Sequence, residues 1–465
     1  MDTTPLHTRP RRSRRPRGVA LLMVISIIAV LALVLVEFSS TARTHLNAGV
    51  NVRDDIRATM TAETALVMTR ACLDQTAWGP LSSQMKSMNM ERICNLMLGI
   101  FVRGRVDFPI GGLSLDLEGI KGVGLSNGEV EEIKLTSEES YIGLAGLYCP
   151  GGRGQANCSS RLSTMRLVMS ELCNPQIAHL FEKEQEDGKR YTREEVVGNL
   201  IDWVDSDDNR IYVDPTTWSL SEGAGEGEDS YLREGGVRYR SKDAPFDSVE
   251  ELRLIRGFND ELYNFLKDRV SVHSAGKVDV NSASAGVIAS LLRAAGPNFG
   301  GAAEAGACGV ETDVPRSPDQ EGIQDWYSVY AQFIVDARTA KQGFFITKPF
   351  KNKKDFTKVA QNPVAAYIAA QGASPLSALA GIPTEADYID ARLGPQIGPF
   401  FRQQVMPLFL GGQMVNWNVL ERSIRTDNSL YRLRVRGQVG NMTRQLFAIL
   451  RMEGPTVRTL YYREE

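Results

Sequence analysis

The chain has 465 residues, with 53 Lys and Arg against 56 Asp and Glu for a formal charge of -3, and its 43% hydrophobic and 23% charged content is that of an ordinary globular protein. That length allows two or three domains, and that charge excludes the strongly basic balance of a general nucleic-acid binder. Its six cysteines form no C-x-x-C pair, which disfavours a zinc ribbon or a thioredoxin-like motif.

At the N-terminus an Arg-rich leader closes on Gly18 and meets an uncharged apolar run from Val19 to Val36. A run of that length reaches the lower limit for a membrane-spanning helix, and the arginines in front of it hold the N-terminus on the cytoplasmic side. No A-x-A-like cleavage site follows before Glu37, which places processing between Gly18 and Val19 rather than after the apolar run. This order resembles the class III signal of type IV pilins and type II secretion pseudopilins, which implies a membrane aspartyl peptidase that cuts after the Gly and methylates the new N-terminus. The residues alone leave open a single anchor that is never cut. The fifth position after the cut, usually Glu in those families and paired with a neighbour's terminal amine, is Met23 here. A carboxylate in lipid is costly without a partner, so its absence fits a subunit with no amine to meet. In this respect the chain resembles the K-type minor pseudopilin, which sits at a filament tip. Without the leader, 47 basic residues stand against 55 acidic ones.

Beyond Glu37 the sequence turns amphipathic without a breaker, with Val52, Ile56, Met60, Ala65 and Leu66 near helical spacing. The expectation is one helix from Val19 to about Leu73, roughly 80 Å long, its front half in lipid or a filament core and its back half packed on a head. The alternative is a break near Gly49, given the cost of Gly inside a helix. Alternating segments at Arg105 to Phe108, Leu113 to Leu117 and Glu131 to Leu135 read as strands, as do Leu430 to Val439 and Gln445 to Arg451 near the C-terminus. Strands so far apart in sequence point to one shared sheet interrupted by an insertion. The fold class is α+β, a pilin-like long N-terminal helix packed on a small antiparallel sheet. The expected organisation is a leader at 1–18, the long helix at 19–75, the first part of an α/β head at 76–160, an inserted α-helical domain at 161–415 and final head strands at 416–465.

Within the insertion, Ser163 to Leu172, Gln176 to Lys183, Thr192 to Val204, Ser248 to Ile255, Asp260 to Lys267 and Ala285 to Arg293 read as short amphipathic helices. Thr192 with Glu195 and Ser248 with Glu251 form capping-box patterns. After the third helix comes an acidic loop in which Asp205, Asp207 and Asn209 alternate like the first ligands of a calcium loop. The EF-hand pattern then fails at Arg210 and Thr216. A solvated acidic loop and a non-EF oxygen site both remain open. Cys149 and Cys158 flank a Gly-rich loop and are the first disulfide candidates, with Cys72 and Cys94 next; Cys173 and Cys308 read equally well as buried thiols.

The order of Leu200 to Asp208, then Gly225 to Tyr231, Pro245 to Gly257 and Lys277 to Ser284 is similar to the helical domain of the type II secretion minor pseudopilin K. The resemblance spans about residue 10 to 293 and the final strands, and is thin over 296–415. It implies a SAM-like or helix-hairpin-helix-like insertion that binds structural calcium, carried over here to Asp205, Asp207, Asp208, Glu228 and Asp229. It also implies a non-enzymatic subunit anchored once in the bacterial inner membrane with its bulk periplasmic. Such a subunit joins I- and J-type minor pseudopilins at the tip of a pseudopilus and helps to start its assembly for protein export. The same stretch, Glu250 to Leu262 and Val278 to Ile288, also resembles helix-hairpin-helix modules of DNA-uptake proteins, so a membrane-anchored DNA-uptake protein stands as an alternative, beside a type IV pilus minor pilin. Acids surround that stretch and no Gly-h-Gly hairpin follows it, so nucleic acid is not expected as a partner. No G-x-S-x-G elbow, P-loop or H-E-x-x-H is present, and four histidines give no catalytic cluster.

Overall fold

The computed structural model describes residues 17–74, 79, 88–103, 105–107, 114–116, 129–149, 158–185, 188–214, 219–227, 231–232, 238–297, 299, 308, 325–342, 347–373 and 382–464. Helix α1, Arg17–Leu73, runs unbroken through Gly49, about 85 Å at 1.5 Å per residue. Residues from Val19 to Val36 are exposed throughout, and this is the one helix among the described residues long and apolar enough to cross a membrane. Its second half has two faces. Ala58, Ala62, Ala65 and Thr69 recur at helical spacing and are buried, whereas Val52, Ile56 and Met60 are 61%, 51% and 59% exposed, with Val67 beside them. The small residues, not the large apolar ones, make the packing seam, because a narrow surface lets the helix lie close on a sheet.

After α1 come α2 (Met90–Arg103), the short strands β1 (Arg105–Asp107) and β2 (Ser114–Asp116), and β3 (Glu129–Ser137). A run of mostly helical elements follows: β4 (Ile142–Gly143), α3 (Ser159–Leu172), a 3-10 helix at Pro175–Phe181, α4 (Arg193–Asp202), then β5 (Asn209–Val213), β6 (Leu220–Gly227), β7 (Tyr231–Leu232) and β8 (Arg238–Tyr239). Next are a 3-10 helix at Val249–Leu254, α5 (Asp260–Leu266), β9 (Val270–Ser271), β10 (Val278–Asp279) and α6 (Ala285–Ala294). The helices at Trp326–Gln342, Lys353–Gln361, Pro363–Gly372, Glu385–Phe400 and Trp417–Ser423 lead to β11 (Ile424–Arg425), β12 (Leu430–Val439), β13 (Met442–Glu453) and β14 (Thr456–Glu464). Two expected helices are therefore 3-10 turns, and the capping box at Thr192 forms in full, with Glu195 N–H on the Thr192 hydroxyl and Thr192 N–H on the Glu195 carboxylate.

The main sheet has the order β14-β13-β12-β3, antiparallel throughout. It joins Leu433 to Ala448 of the adjoining hairpin strand and to Leu135 of a strand nearly 300 residues away in sequence, as the alternating segments led us to expect. β1 and β2 pair only with each other, so that part of the expectation is corrected. One face of the sheet receives α1. A Cβ on Gly437 would stand 2.7 Å from the Ala58 carbonyl oxygen, so only Gly allows the helix this close. Leu135, Tyr431, Leu433, Val435, Ala448 and Leu450 pack here with Leu73, Cys94 and Leu98 of α1 and α2.

A second, larger core lies in the intervening helical region and includes Ile142, Val168, Leu200, Ile288, Ile334, Phe356 and Phe401. Buried polar groups fasten it to the first. Glu138 accepts both Arg432 of β12, at 2.5 and 2.8 Å, and the Ser271 hydroxyl of β9. Glu91 of α2 accepts the Ser137 N–H at 3.0 Å and the Ser282 hydroxyl at 2.6 Å. Asn281 donates to the Phe350 and Thr426 carbonyls and accepts the Phe350 N–H. Three disulfides add covalent ties: Cys72 to Cys94 joins α1 to α2, Cys149 to Cys158 closes a short loop, and Cys173 to Cys308 joins the end of α3 to a residue 135 positions on. The last pairing settles what the sequence left open between a bond and two thiols. Such bonds are characteristic of oxidising compartments.

Candidate functional site

The candidate site has two parts, the start of α1 and the acidic loop that follows α4. Gly18 and Val19 lie in the first turn of α1, with Val19 half exposed and the leader 1–16 outside the described residues. Met23 sits one turn further and points into open surroundings, 63% exposed. Nothing in the first turn is acidic. A helix N-terminus favours a nearby anion, and α1 carries none of its own there.

The acidic loop is held by α4 and the β5-β6 hairpin. Gly198 lets them meet, since a Cβ there would lie 2.7 Å from the Ile211 carbonyl oxygen. Asp202, the last residue of α4, is buried and accepts the Ile211 N–H at 2.8 Å. Burial, with the neighbouring Asp205 and Asp207 charges, pushes its pKa up to about 8, although the Ile211 N–H and Arg210 act the other way. Asp205 is 6% exposed and faces Arg161 of α3 at 3.6 Å. Arg161 is itself 3% exposed, donates to the Leu147 carbonyl at 2.8 Å, and has its pKa lowered by burial while Asp205, Asp207, Asp202 and Glu222 oppose that shift. Arg161 thus supplies a positive charge in the middle of the acids. Sequence reasoning missed it, because it lies on a different helix 44 residues upstream of Asp205.

Of the proposed ligands, Asp207 is half-buried and turns one oxygen to the Asn209 N–H at 2.9 Å, and Asp208 is exposed. Glu228 and Asp229 lie outside the described residues. Among the described residues no three His, Cys, Asp or Glu come together closely enough to hold a metal ion. Asp207 and Asp208 by themselves therefore do not make an oxygen cage of the six to eight ligands calcium takes, and an ion near Asp205 would compete with Arg161 for its carboxylate.

Residues 169–275, the stretch that contains α4, the acidic loop and the β5-β6 hairpin, match the family model of the type II secretion system (T2SS), protein K. The chain carries a type II secretion protein K segment. The match covers 107 of the 465 residues. The single apolar N-terminal helix fits a single-pass membrane anchor. A solved structure titled "The Crystal Structure of the GspK-GspI-GspJ complex from enterotoxigenic Escherichia coli Type 2 Secretion System" is similar over 73% of this chain and 81% of that chain, with 14% identity and a TM-score of 0.37. No curated protein matches the chain. The protein K segment ends at residue 275, so α6 and the helices beyond Trp326 fall outside the matched stretch.

Proposed function

We propose that this protein is the minor pseudopilin at the tip of a periplasmic pseudopilus, where it joins other minor pseudopilins of the I and J types and helps to start filament assembly for protein export. One observation carries the reading: the outer face of α1 stays uncovered along its whole length. The apolar run from Val19 to Val36 continues into Val52, Ile56, Met60 and Val67, all more than half exposed, while the head packs on the opposite seam of small residues. A stripe of that kind is costly in water; lipid satisfies the run from Val19 to Val36 before assembly, and neighbouring helices cover the whole stripe afterwards. Met23 and the bulk of the helical insertion support the tip position. Met23 gives a neighbour's terminal amine nothing to pair with, and a bulky insertion on the head would block a further subunit from adding. The peptidase cut at Gly18-Val19, the inner membrane and the cytoplasmic orientation of the N-terminus belong to the same proposal. In sheared pseudopili viewed by electron microscopy, gold-labelled antibody against the helical insertion is expected at one end only. Label along the filament would overturn the tip position.

We further propose a structural calcium ion at the acidic loop, with Glu228 and Asp229 completing what Asp207 and Asp208 begin beside Asp205. Calcium at tenfold over a dissociation constant of about 0.1 mM would stabilise the fold by about 1.4 kcal/mol. The purified chain in detergent is expected to melt higher in calcium than in chelator, and Asp207→Asn with Asp208→Asn should remove the difference. An identical transition in calcium and chelator would rule the ion out.

A further inference from the structure

The three disulfides join the six cysteines in the order in which they stand in the chain: first to second, third to fourth and fifth to sixth. Of the fifteen pairings that six cysteines allow, this is the one in which no bridge encloses or crosses another. Partners in the first two pairs stand 22 and 9 residues apart. The gaps between pairs are longer, 55 residues from Cys94 to Cys149 and 15 from Cys158 to Cys173. Shorter loops close at lower entropic cost, so in N-to-C order each of these cysteines meets its native partner before a wrong one. Cys173 then has no free partner until Cys308 arrives 135 residues later.

In the folded chain the bridges are out of reach. Cys94 is fully buried, and Cys72, Cys149 and Cys173 are buried as well. The core around Cys72 and Cys94 is closed by Leu433, Val435, Leu446 and Leu450 of β12 and β13, and β12 begins 336 residues after Cys94. At about 5–20 residues synthesised per second, the first pair stays open to an oxidant for roughly 20–70 s. The helices beyond Trp326 close the second core over Cys173 in the same way. A wrong bridge trapped under either core exchanges only after that core reopens, and uncatalysed exchange takes minutes to hours.

We propose that this chain is a substrate of a disulfide-carrying thiol oxidase that acts as the chain emerges N-terminus first from the membrane, and that it reaches its native bridges without a disulfide isomerase. In each step one cysteine thiolate of the chain attacks the oxidase disulfide, forming a mixed disulfide and expelling one oxidase thiolate. The second cysteine thiolate then attacks the chain's sulfur in that mixed disulfide, closes the bridge and expels the other oxidase thiolate. Two electrons pass to the oxidase for each bridge, and the two thiol protons of the pair leave to solvent or to the reduced oxidase. The premise shared with the proposed function is that α1 anchors the chain with its bulk outside the cytoplasm.

The test maps bridges by mass spectrometry of non-reduced digests of the alkylated full chain, produced in cells that hold both the thiol oxidase and the isomerase, or lack one of them. All three native bridges are expected with or without the isomerase, and their loss is expected without the oxidase. In isomerase-free cells Cys149→Ser is expected to join Cys158 to Cys173 and leave Cys308 free, whereas Cys149→Ser with Cys158→Ser should keep the other two native bridges. Native bridges that form only with the isomerase would overturn the proposal. So would native bridges formed equally well without the oxidase, or a Cys173 to Cys308 bridge in the isomerase-free Cys149→Ser chain, which would show pairing set by the folded core instead of by order of emergence. Six free thiols in cells that hold the oxidase would overturn the premise about α1 together with the proposal, whereas mispaired bridges would overturn the proposal alone.

Discussion

Glu138→Ala is expected to destabilise the protein by ~3–5 kcal/mol in denaturant-induced unfolding of the purified chain. Glu138 is fully buried and pairs in bidentate geometry with Arg432, whose side chain is only 5% exposed. Removing the carboxylate leaves a guanidinium shut away from water between Tyr141 and Phe447, 4.2 and 5.6 Å from their ring centres. It also strips the Ser271 hydroxyl of the acceptor that ties β9 to the sheet. The cost arises from stranding a charge and not from the worth of the pair, so Glu138→Leu combined with Arg432→Met should recover most of it. A single-variant loss below about 1 kcal/mol would mean that water reaches Arg432 and that this contact does not hold the two cores together.

Glu91→Gln should stabilise the protein at pH 8 by up to about 3 kcal/mol and change little at pH 5. Burial, with the charge of Asp279, pushes the Glu91 pKa up from 4.5 to about 7, against the Ser282 and Ser137 hydrogen bonds and Arg338. Because the folded state holds this proton more tightly than the unfolded state, the destabilisation grows as pH rises from 4.5 towards 7 and is complete above it. Glutamine keeps an oxygen for the Ser137 N–H and the Ser282 hydroxyl and never carries the charge. Asp279, with its pKa pushed to about 6 by burial, and Asp202, to about 8, add pH dependence of the same sign. His273, whose pKa burial lowers, adds the opposite sign below about pH 6.5. Equal stability curves for parent and variant from pH 5 to 8 would show that Glu91 is ionised in the fold throughout.

What was legible in the sequence was what short-range pattern encodes. The unbroken α1 follows from apolar and helix-forming residues with no proline, which outweigh the cost of one Gly49. The capping box at Thr192 and the alternation of β3, β12 and β13 each lie within a few residues. The missed features depend on residues brought together from afar or on size rather than hydrophobicity. β14 was not anticipated, because the bulge between Ile449 and Leu450 breaks the alternation it would otherwise share with its neighbour. Of the α1 seam only Ala65 stood among the residues singled out, because Ala58 and Ala62 are inconspicuous beside Val52, Ile56 and Met60. In the acidic loop, Asp205 and Asp208 look alike in the sequence, and only Arg161 makes one buried and leaves the other in water. Glu138 and Arg432 meet across 294 positions, a distance over which local pattern carries no information.

The central claim is that the chain is a pilin-like subunit released from its leader at Gly18-Val19, and mass spectrometry of the N-terminus of protein purified from native membranes tests it most directly. The account predicts a mature chain that begins at N-methylated Val19. A chain that keeps its arginine-rich leader intact would contradict it and leave α1 as a permanent anchor.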